Sequence, residues 1–524
     1  MEQDQAREQS RVQPQDRPNI LLIQTDQQSA ETLALYGNPL VRTPHLEKLA
    51  EQGVVFDYAF CNYPACSPSR SSMLTGRYAS TISCHANHML INPNETTLPQ
   101  VLKQNGYQTA LIGKNHAFMT SASTAALSYP GAAGEEASLL HNVFDYVRLA
   151  EHGHLVDGYR EDEGVLAAHE WAKLNCWSSP LGHGANPAPP EKCGTHLLGE
   201  SAMAYLQDIR KQEQPFFMWL SFPDPHTPYQ APEPYAGFYD PAKVPLPPKD
   251  DLTGKPERQK VAHLMDAMDT ADDDLIRKVR AIHYGMIQFI DDTLGRVFAK
   301  LEQLGLRDNT VIVFTSDHGD SMGAHGLIQK HNAFYDSFTR VPFIVAMPGY
   351  GGPKRSPHLV ELIDVMPTLL ELAGAPVPYG AQGRSLAPYL LQDDSFVPRE
   401  YAVIESGEEG EPIRLSDITV RPEHPFDDRY FVWCAYRDAW MGKGKCIRTH
   451  DWKLNIYANG DGELYDLRND PDELHNLFNE SNYEQIQIEL ERKLLHWSIA
   501  KEDRIPLNRT VTLNYADVKQ QSTG

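Results

Sequence analysis

The chain has 524 residues, a formal charge of -23, and 41% hydrophobic, 22% charged and 9% aromatic residues, a make-up that excludes a fibre or a disordered chain. The acidic balance excludes nucleic acid and anionic membrane surfaces as partners, because the long-range field repels both, and an anionic substrate then needs local cations. No stretch approaches the ~20 apolar residues of a membrane span, and Met1 to Pro18 lacks the apolar segment of a signal peptide, so the reading is of a soluble, cytoplasmic chain.

In chain order, residues 1–18 form a polar tail. The first apolar run, Ile20 to Thr25, reads as a strand buried on both faces, and so do Thr109 to Ile112, Phe216 to Phe222, Val311 to Thr315 and Pro342 to Ala346. Between them lie helices. One has Thr43 as N-cap and Pro44 in its first turn and stops at Gly53; another carries Val279, Ile282, Met286, Phe289, Leu294, Val297 and Leu301 on one stripe and stops at Gly305. The Pro- and Gly-rich stretches Ser178 to Cys193 and Ala231 to Thr253 read as surface loops. This alternation predicts an α/β fold over 19–400, with a large, mixed, mostly parallel sheet sandwiched by helices.

After about Tyr401 the pattern changes to alternating segments, Tyr430 to Tyr436, Cys446 to Tyr457 and Glu463 to Leu467, followed by a helical stretch around Tyr483 to Ile499. They predict a smaller antiparallel sheet plus helix over 401–502, leaving 503–524 as a tail available to pack on a neighbouring copy. Seven cysteines, few and odd in number, argue against a disulfide scaffold and leave a thiol for chemistry.

Polar residues stand at or just past the ends of four of the predicted strands: Asp26, Lys114, His226 and Asp317. Ligands of open α/β sheets bind outside the carboxyl ends of the strands, so these residues are expected at one shared site. Ser67 and Pro68 read as an N-cap and first-turn pair, which puts Cys66 at a solvent-accessible rim beside a helix N-terminus suited to an oxyanion. Taken alone, Cys66 would read as a buried structural thiol.

Cys66-Ser67-Pro68-Ser69-Arg70, continuing through Leu74-Thr75-Gly76-Arg77, resembles the pattern by which sulfatase cysteines are recognised for conversion to formylglycine. The resemblance runs in order from about Asn19 to Leu477 through Asp26-Gln27, Gly113-Lys114-Asn115-His116, Pro225-His226-Thr227-Pro228, Thr315-Ser316-Asp317-His318-Gly319, Arg340-Val341-Pro342 and Glu463-Leu464-Tyr465-Asp466-Leu467. It implies an alkaline-phosphatase-like fold, hydrolysis of a sulfate monoester, and a maturation enzyme that oxidises Cys66. Asp26, Gln27, Asp317 and His318 resemble the family's ligands for one divalent metal, with the modified Cys66 as a further ligand. Calcium is the family's usual ion, while a histidine in place of the more common asparagine makes manganese a competitor.

Lys114, His116, His226 and Lys330 resemble the sulfate-binding and acid/base residues, with His331 a rival for the place of Lys330. Arg70 resembles the residue that holds the modified cysteine. By the same resemblance, one hydroxyl of hydrated formylglycine attacks sulfur, His226 with help from Lys330 protonates the leaving oxygen, and His116 takes the proton from the second hydroxyl. Phosphonate monoester and phosphodiester hydrolases share this machinery and are the nearest alternative; a metal-binding protein without catalysis is a further one. His85, Asn87 and His88 are candidates for the rim that meets the alcohol part of the substrate.

Overall fold

The computed structural model describes residues 17–87, 89–118, 140–150, 155–177, 179–211, 213–417 and 442–501. The tail 503–524, most of the tail 1–18, and the expected strand Tyr430 to Tyr436 lie outside them, as do Cys434 and His88.

The strands are β1 (Asn19–Thr25), β2 (Gly53–Phe60), β3 (Gln108–Gly113), β4 (Tyr146–Leu149), β5 (His183–Asn186), β6 (Phe216–Ser221), β7 (Tyr229–Pro232), β8 (Thr310–Ser316), β9 (Arg340–Val341), β10 (Phe343–Ala346), β11 (Arg355–Glu361), β12 (Ala402–Ser406), β13 (Gly444–Arg448), β14 (Trp452–Tyr457) and β15 (Gly462–Asp466). A nine-stranded sheet has the order β11-β2-β10-β8-β1-β6-β3-β4, with β9 beside β2. Pairing is parallel from β8 through β1, β6 and β3 to β4, and between β2 and β11; β10 runs antiparallel to both β2 and β8.

β1 shows why apolar runs form this sheet. Successive side chains point to opposite faces, so Ile20 and Leu22 enter one core while Leu21 and Ile23 enter the other. On the Leu21 face pack helices α1 (Pro44–Glu51), through Leu46 and Leu49; α4 (Gly194–Ile209), through Leu198 and Leu206; and α5 (Asp273–Gln303), through Ile287, Ile290 and Leu294. The Ile20 face is covered by α2 (Cys66–Thr75), α3 (Leu98–Gln104) and α6 (Val365–Leu372), through Met73, Leu74, Val101, Met366 and Leu369. At Gly53, where β2 follows α1, a Cβ would lie 1.9 Å from the Val345 carbonyl oxygen, so only glycine permits that approach.

β12 to β15 form a separate antiparallel sheet in sequential order. The final helix, α7 (Glu484–Ala500), covers one face with Leu490, Leu494 and Trp497. The other face meets the large sheet's unit through Ala402, Ile404, Cys446 and Tyr457 against Phe60, Phe334 and Leu359. Beside that contact the buried Lys453 ammonium bonds Asp336 Oδ1 and Glu473 Oε1, both at 2.5 Å.

The expected fold class stands, with one correction in detail. The stretches Ser178 to Cys193 and Ala231 to Thr253 are not only surface loop, because β5 in the first pairs in parallel with β7, which runs into the second, and Asn186, Ala231 and Val244 are buried. Among the described residues, no helix is long and apolar enough to cross a membrane, and the six cysteines there are all free and buried.

Candidate active site

Register brings the polar strand ends together. Thr25 pairs with Ser316, and Ser221 pairs with both Gln24 and Gly113, so Asp26 and Asp317 leave the sheet side by side at its carboxyl edge, with Lys114 at the same edge on the far side of β6. Gly113 has φ 113°, and a Cβ there would lie 1.8 Å from the Ser221 carbonyl oxygen. Glycine thus lets β3 turn so that the Lys114 N–H donates to that same oxygen at 2.8 Å.

Cys66 is the first helical residue of α2, and the N-cap is Ala65 rather than Ser67. The Ser67 hydroxyl donates instead to the Asn87 carbonyl at 2.9 Å, while the Ser67 N–H donates to Asn87 Oδ1 at 3.1 Å. Asn87 therefore braces the start of α2. His85 accepts a 2.5 Å hydrogen bond from Tyr63 at its carbonyl and lines, with Tyr63, a cavity of about 410 Å³ against β12 to β14 and α7. Cys66 is only 1% exposed, so it sits within the protein and not at an accessible rim.

Asp26, Cys66, Asp317 and His318 are all buried, and one ligand atom from each lies within 4.8 Å of the others. His318 Nε2 is 3.3 Å from Cys66 Sγ, 3.9 Å from Asp26 Oδ1 and 3.7 Å from Asp317 Oδ1. Its Nδ1 donates to the Gly319 carbonyl at 2.9 Å, which leaves Nε2 as the ring nitrogen turned toward Cys66 and both carboxylates. Burial, and then the Asp317 carboxylate and Cys66, push Asp26 up to about 7. Asp317 is held at about 2, because His318 and Arg70 outweigh its burial. Two crowded carboxylates and an imidazole nitrogen fit a divalent cation, whose charge would relieve the carboxylates' repulsion.

Gln27 joins the cluster differently. Its backbone N–H donates to Asp317 Oδ1 at 3.0 Å, whereas its side-chain Oε1 accepts from Lys330 Nζ at 2.7 Å.

Arg70 is fully buried, with Nε on Asp317 Oδ2 at 2.8 Å, Nη1 on Ser221 Oγ at 2.7 Å and Nη2 3.8 Å from Asp26 Oδ2. The Lys114 ammonium donates to Asp26 Oδ2. His116, at a left-handed φ of 47°, hydrogen-bonds the Cys66 side chain, and burial followed by Lys114 lowers its pKa to about 4. Burial opposes ionisation of Cys66, but Lys114, Lys330 and His318 outweigh it and hold the thiol well below its usual range.

His226 Nδ1 donates to the Thr227 carbonyl at 2.6 Å, so Nε2 accepts from Lys330 Nζ at 2.8 Å. Burial, and then the Lys330 charge, hold its pKa well below the usual imidazole range. His331 turns away from this group and pairs through Nε2 with Asp266 Oδ2 at 2.6 Å.

Sequence reasoning missed the residues that hold these side chains in place. Ser221 ends an apolar run that carried no polar signal of its own, and Thr227, although part of the Pro225-His226-Thr227-Pro228 match, acts through a backbone carbonyl that residue type does not reveal. Asp320 accepts from Gln27 Nε2 at 2.6 Å and Tyr229 Oη at 2.7 Å. The one available hint was its place three residues after Asp317, in Asp317-His318-Gly319-Asp320.

The family model "Sulfatase" matches residues 18–375, and "N-sulphoglucosamine sulphohydrolase, C-terminal" matches residues 417–500. The chain is 29% identical to the multifunctional alkaline phosphatase superfamily protein PehA of Trinickia caryophylli, over 93% of this chain and 96% of that one. It is 28% identical to an arylsulfatase of Clostridium perfringens, over 91% and 94%. In fold it is similar to the phosphonate monoester hydrolase of Agrobacterium radiobacter, with a TM-score of 0.72, 23% identity, and coverage of 93% and 96%. With the sulfatase model spanning most of the large sheet and its helices, the chain belongs to the sulfatase family, hydrolases of the alkaline-phosphatase superfamily.

Proposed function

We propose that this hydrolase cleaves a sulfate monoester through Cys66 converted to formylglycine, beside one divalent cation. The observation that carries the reading is the single cluster in which Cys66 Sγ lies 3.6 Å from Asp26 Oδ1 and 3.3 Å from His318 Nε2 while facing Lys114, His116 and Lys330. Asp26, Asp317 and His318 would hold the cation, with Gln27 Oε1, which accepts from Lys330 here, as a fourth donor. Bound there, the cation supplies charge that favours the ionised form of the nucleophile. Conversion of Cys66 to the aldehyde hydrate by a maturation enzyme supplies two hydroxyls on one carbon, one for attack and one for release.

The chain's other groups have distinct tasks. Lys114 and Lys330 place positive charge where the ester's oxygens gain negative charge. Arg70 orients both ligand carboxylates and the start of α2. His116, neutral at pH 7 because its pKa is lowered to about 4, can take a proton from the Cys66 position. The Lys330–His226 pair carries a proton that can pass to the leaving oxygen.

Phosphonate monoester or phosphodiester hydrolysis is the second reading, favoured by His318, which offers a ring nitrogen where the commoner pattern has an asparagine. Turnover of nitrophenyl sulfate against nitrophenyl phenylphosphonate separates the two. Peptide mass spectrometry across Cys66 tests the shared premise: an unmodified thiol in active protein refutes it.

A further inference from the structure

Asp320 lies behind the site, fully buried, with four donors converging on its carboxylate. Oδ1 accepts the backbone N–H of Met322 at 2.9 Å and of Gln329 at 2.8 Å. Oδ2 accepts Gln27 Nε2 and the Tyr229 hydroxyl. The first pair closes the loop from Asp320 to Gln329 at its base, where Ser321 N–H also donates to the Gln329 carbonyl at 3.1 Å. Gln329 is in the left-handed region at φ 61° and immediately precedes Lys330. One carboxylate thus holds the Gln27 amide and the backbone beside Lys330 at the same time.

A glutamine amide can present either end to its neighbours, and only its surroundings decide which. With two backbone N–H groups, the Tyr229 hydroxyl and the Gln27 amide all converging on it, the Asp320 side chain meets Gln27 as an acceptor, and so selects the orientation with Nε2 toward Asp320 and Oε1 toward Lys330. The opposite orientation would set two oxygens against each other at Asp320 and point an N–H₂ group at an ammonium and at any bound cation. We infer that Asp320, supported by Tyr229, is a positioning residue that fixes the Gln27 amide with its oxygen toward Lys330 and the Asp26–Asp317–His318 cluster.

This inference deepens the proposed function and rests on its cation site, but it can be tested without turnover. The measurement is Mn²⁺ affinity by calorimetry on metal-stripped protein, for Asp320→Asn, Gln27→Ala and the double variant, with thermal unfolding in parallel. Loss of such an outer partner typically weakens metal binding about 10- to 100-fold. Asp320→Asn, nearly equal in shape, is expected to raise the Mn²⁺ dissociation constant by that factor, because its amide can donate to a flipped Gln27. In the Gln27→Ala background the same change is expected to cost less than about threefold, since the amide it controls is gone.

Tyr229→Phe removes one of the four donors and is expected to weaken binding in the same direction by a smaller factor; it serves as the readout where Asp320→Asn does not fold. Wild-type Mn²⁺ affinity in both Asp320→Asn and Tyr229→Phe overturns the inference. So does an Asp320→Asn effect of equal size with and without Gln27. A protein that hydrolyses neither sulfate nor phosphonate ester still reports this cycle, so failure of the hydrolase reading looks different from failure of the positioning role.

Discussion

Removal of the His226 imidazole tests how the leaving oxygen acquires its proton. His226→Ala leaves the Lys330 ammonium its 2.7 Å bond to Gln27 but removes the acceptor at 2.8 Å. Because Nδ1 is committed to the Thr227 carbonyl, only Nε2 can serve the reaction, and any proton it delivers is exchanged with Lys330. General acid catalysis is worth about a hundredfold to ten-thousandfold, which is about 3–5 kcal/mol at 1.36 kcal/mol per tenfold. An alkyl or sugar sulfate, whose alkoxide leaves poorly, is expected to lose that much in kcat/KM, whereas nitrophenyl sulfate, whose phenolate leaves unaided, loses about tenfold or less. The assay is the slope of log kcat/KM against leaving-group pKa across a graded series, for wild type, His226→Ala, Lys330→Ala and the double variant. Both single variants are expected to steepen the slope, and the double variant is expected to steepen it no further, because the pair acts as one donor. A His226→Ala slope no steeper than wild type refutes proton delivery through His226 and leaves Lys330 as the acid. A uniform loss across the series instead assigns His226 to binding the sulfate group.

Cys66→Ala is expected to abolish turnover while lowering stability by only about 1 kcal/mol, since little volume is removed from a packed site; Cys66→Ser is expected to stop after at most one turnover, which a burst measurement with excess enzyme reads directly. Asp317→Asn removes the partner of Arg70 Nε and one of two ligand carboxylates, so metal affinity and kcat are expected to fall together, and full metal occupancy at wild-type rate contradicts the assignment. His318→Asn is expected to shift metal preference toward calcium in competition titrations, because a soft nitrogen is replaced by an oxygen donor. His283 is buried among Arg280, Tyr229 and Tyr284 with no hydrogen bond at either nitrogen, and burial followed by Arg280 lowers its pKa to about 3. The unfolded chain therefore binds the extra proton first: the contribution is fully present above about pH 6.5 and is lost as pH falls toward 3, at up to about 1.36 kcal/mol per unit. Urea unfolding at pH 6.5 and pH 5 is expected to show His283→Phe losing about 2 kcal/mol less than wild type over that interval, and equal losses refute the burial argument.

The hydrophobic runs at β1, β3, β6, β8 and β10 were legible because a strand buried on both faces must be apolar throughout, whatever its partners. The same pattern says nothing about direction, and only tertiary packing makes β10 antiparallel between β2 and β8, whose pairings with β11 and β1 are parallel. β4 was silent for the opposite reason: as an edge strand with partly exposed residues it needs no continuous apolar run. Asp26, Lys114, His226 and Asp317 could be placed at one edge from sequence alone, since chemistry at the carboxyl ends follows from how α/β sheets are wound. Which neighbour reaches the site could not. Lys330 and His331 are adjacent and equally suited by residue type, and the left-handed turn at Gln329 sends one to Gln27 and His226 and the other to Asp266. The orientation of the Gln27 amide and the task of Asp320 lie further still from the sequence, because both depend on hydrogen-bond partners nearly 300 residues apart that meet only when β1 and β8 pair. Residue chemistry is local and can be read along the chain, whereas the partner of each polar group is set by long-range pairing of strands.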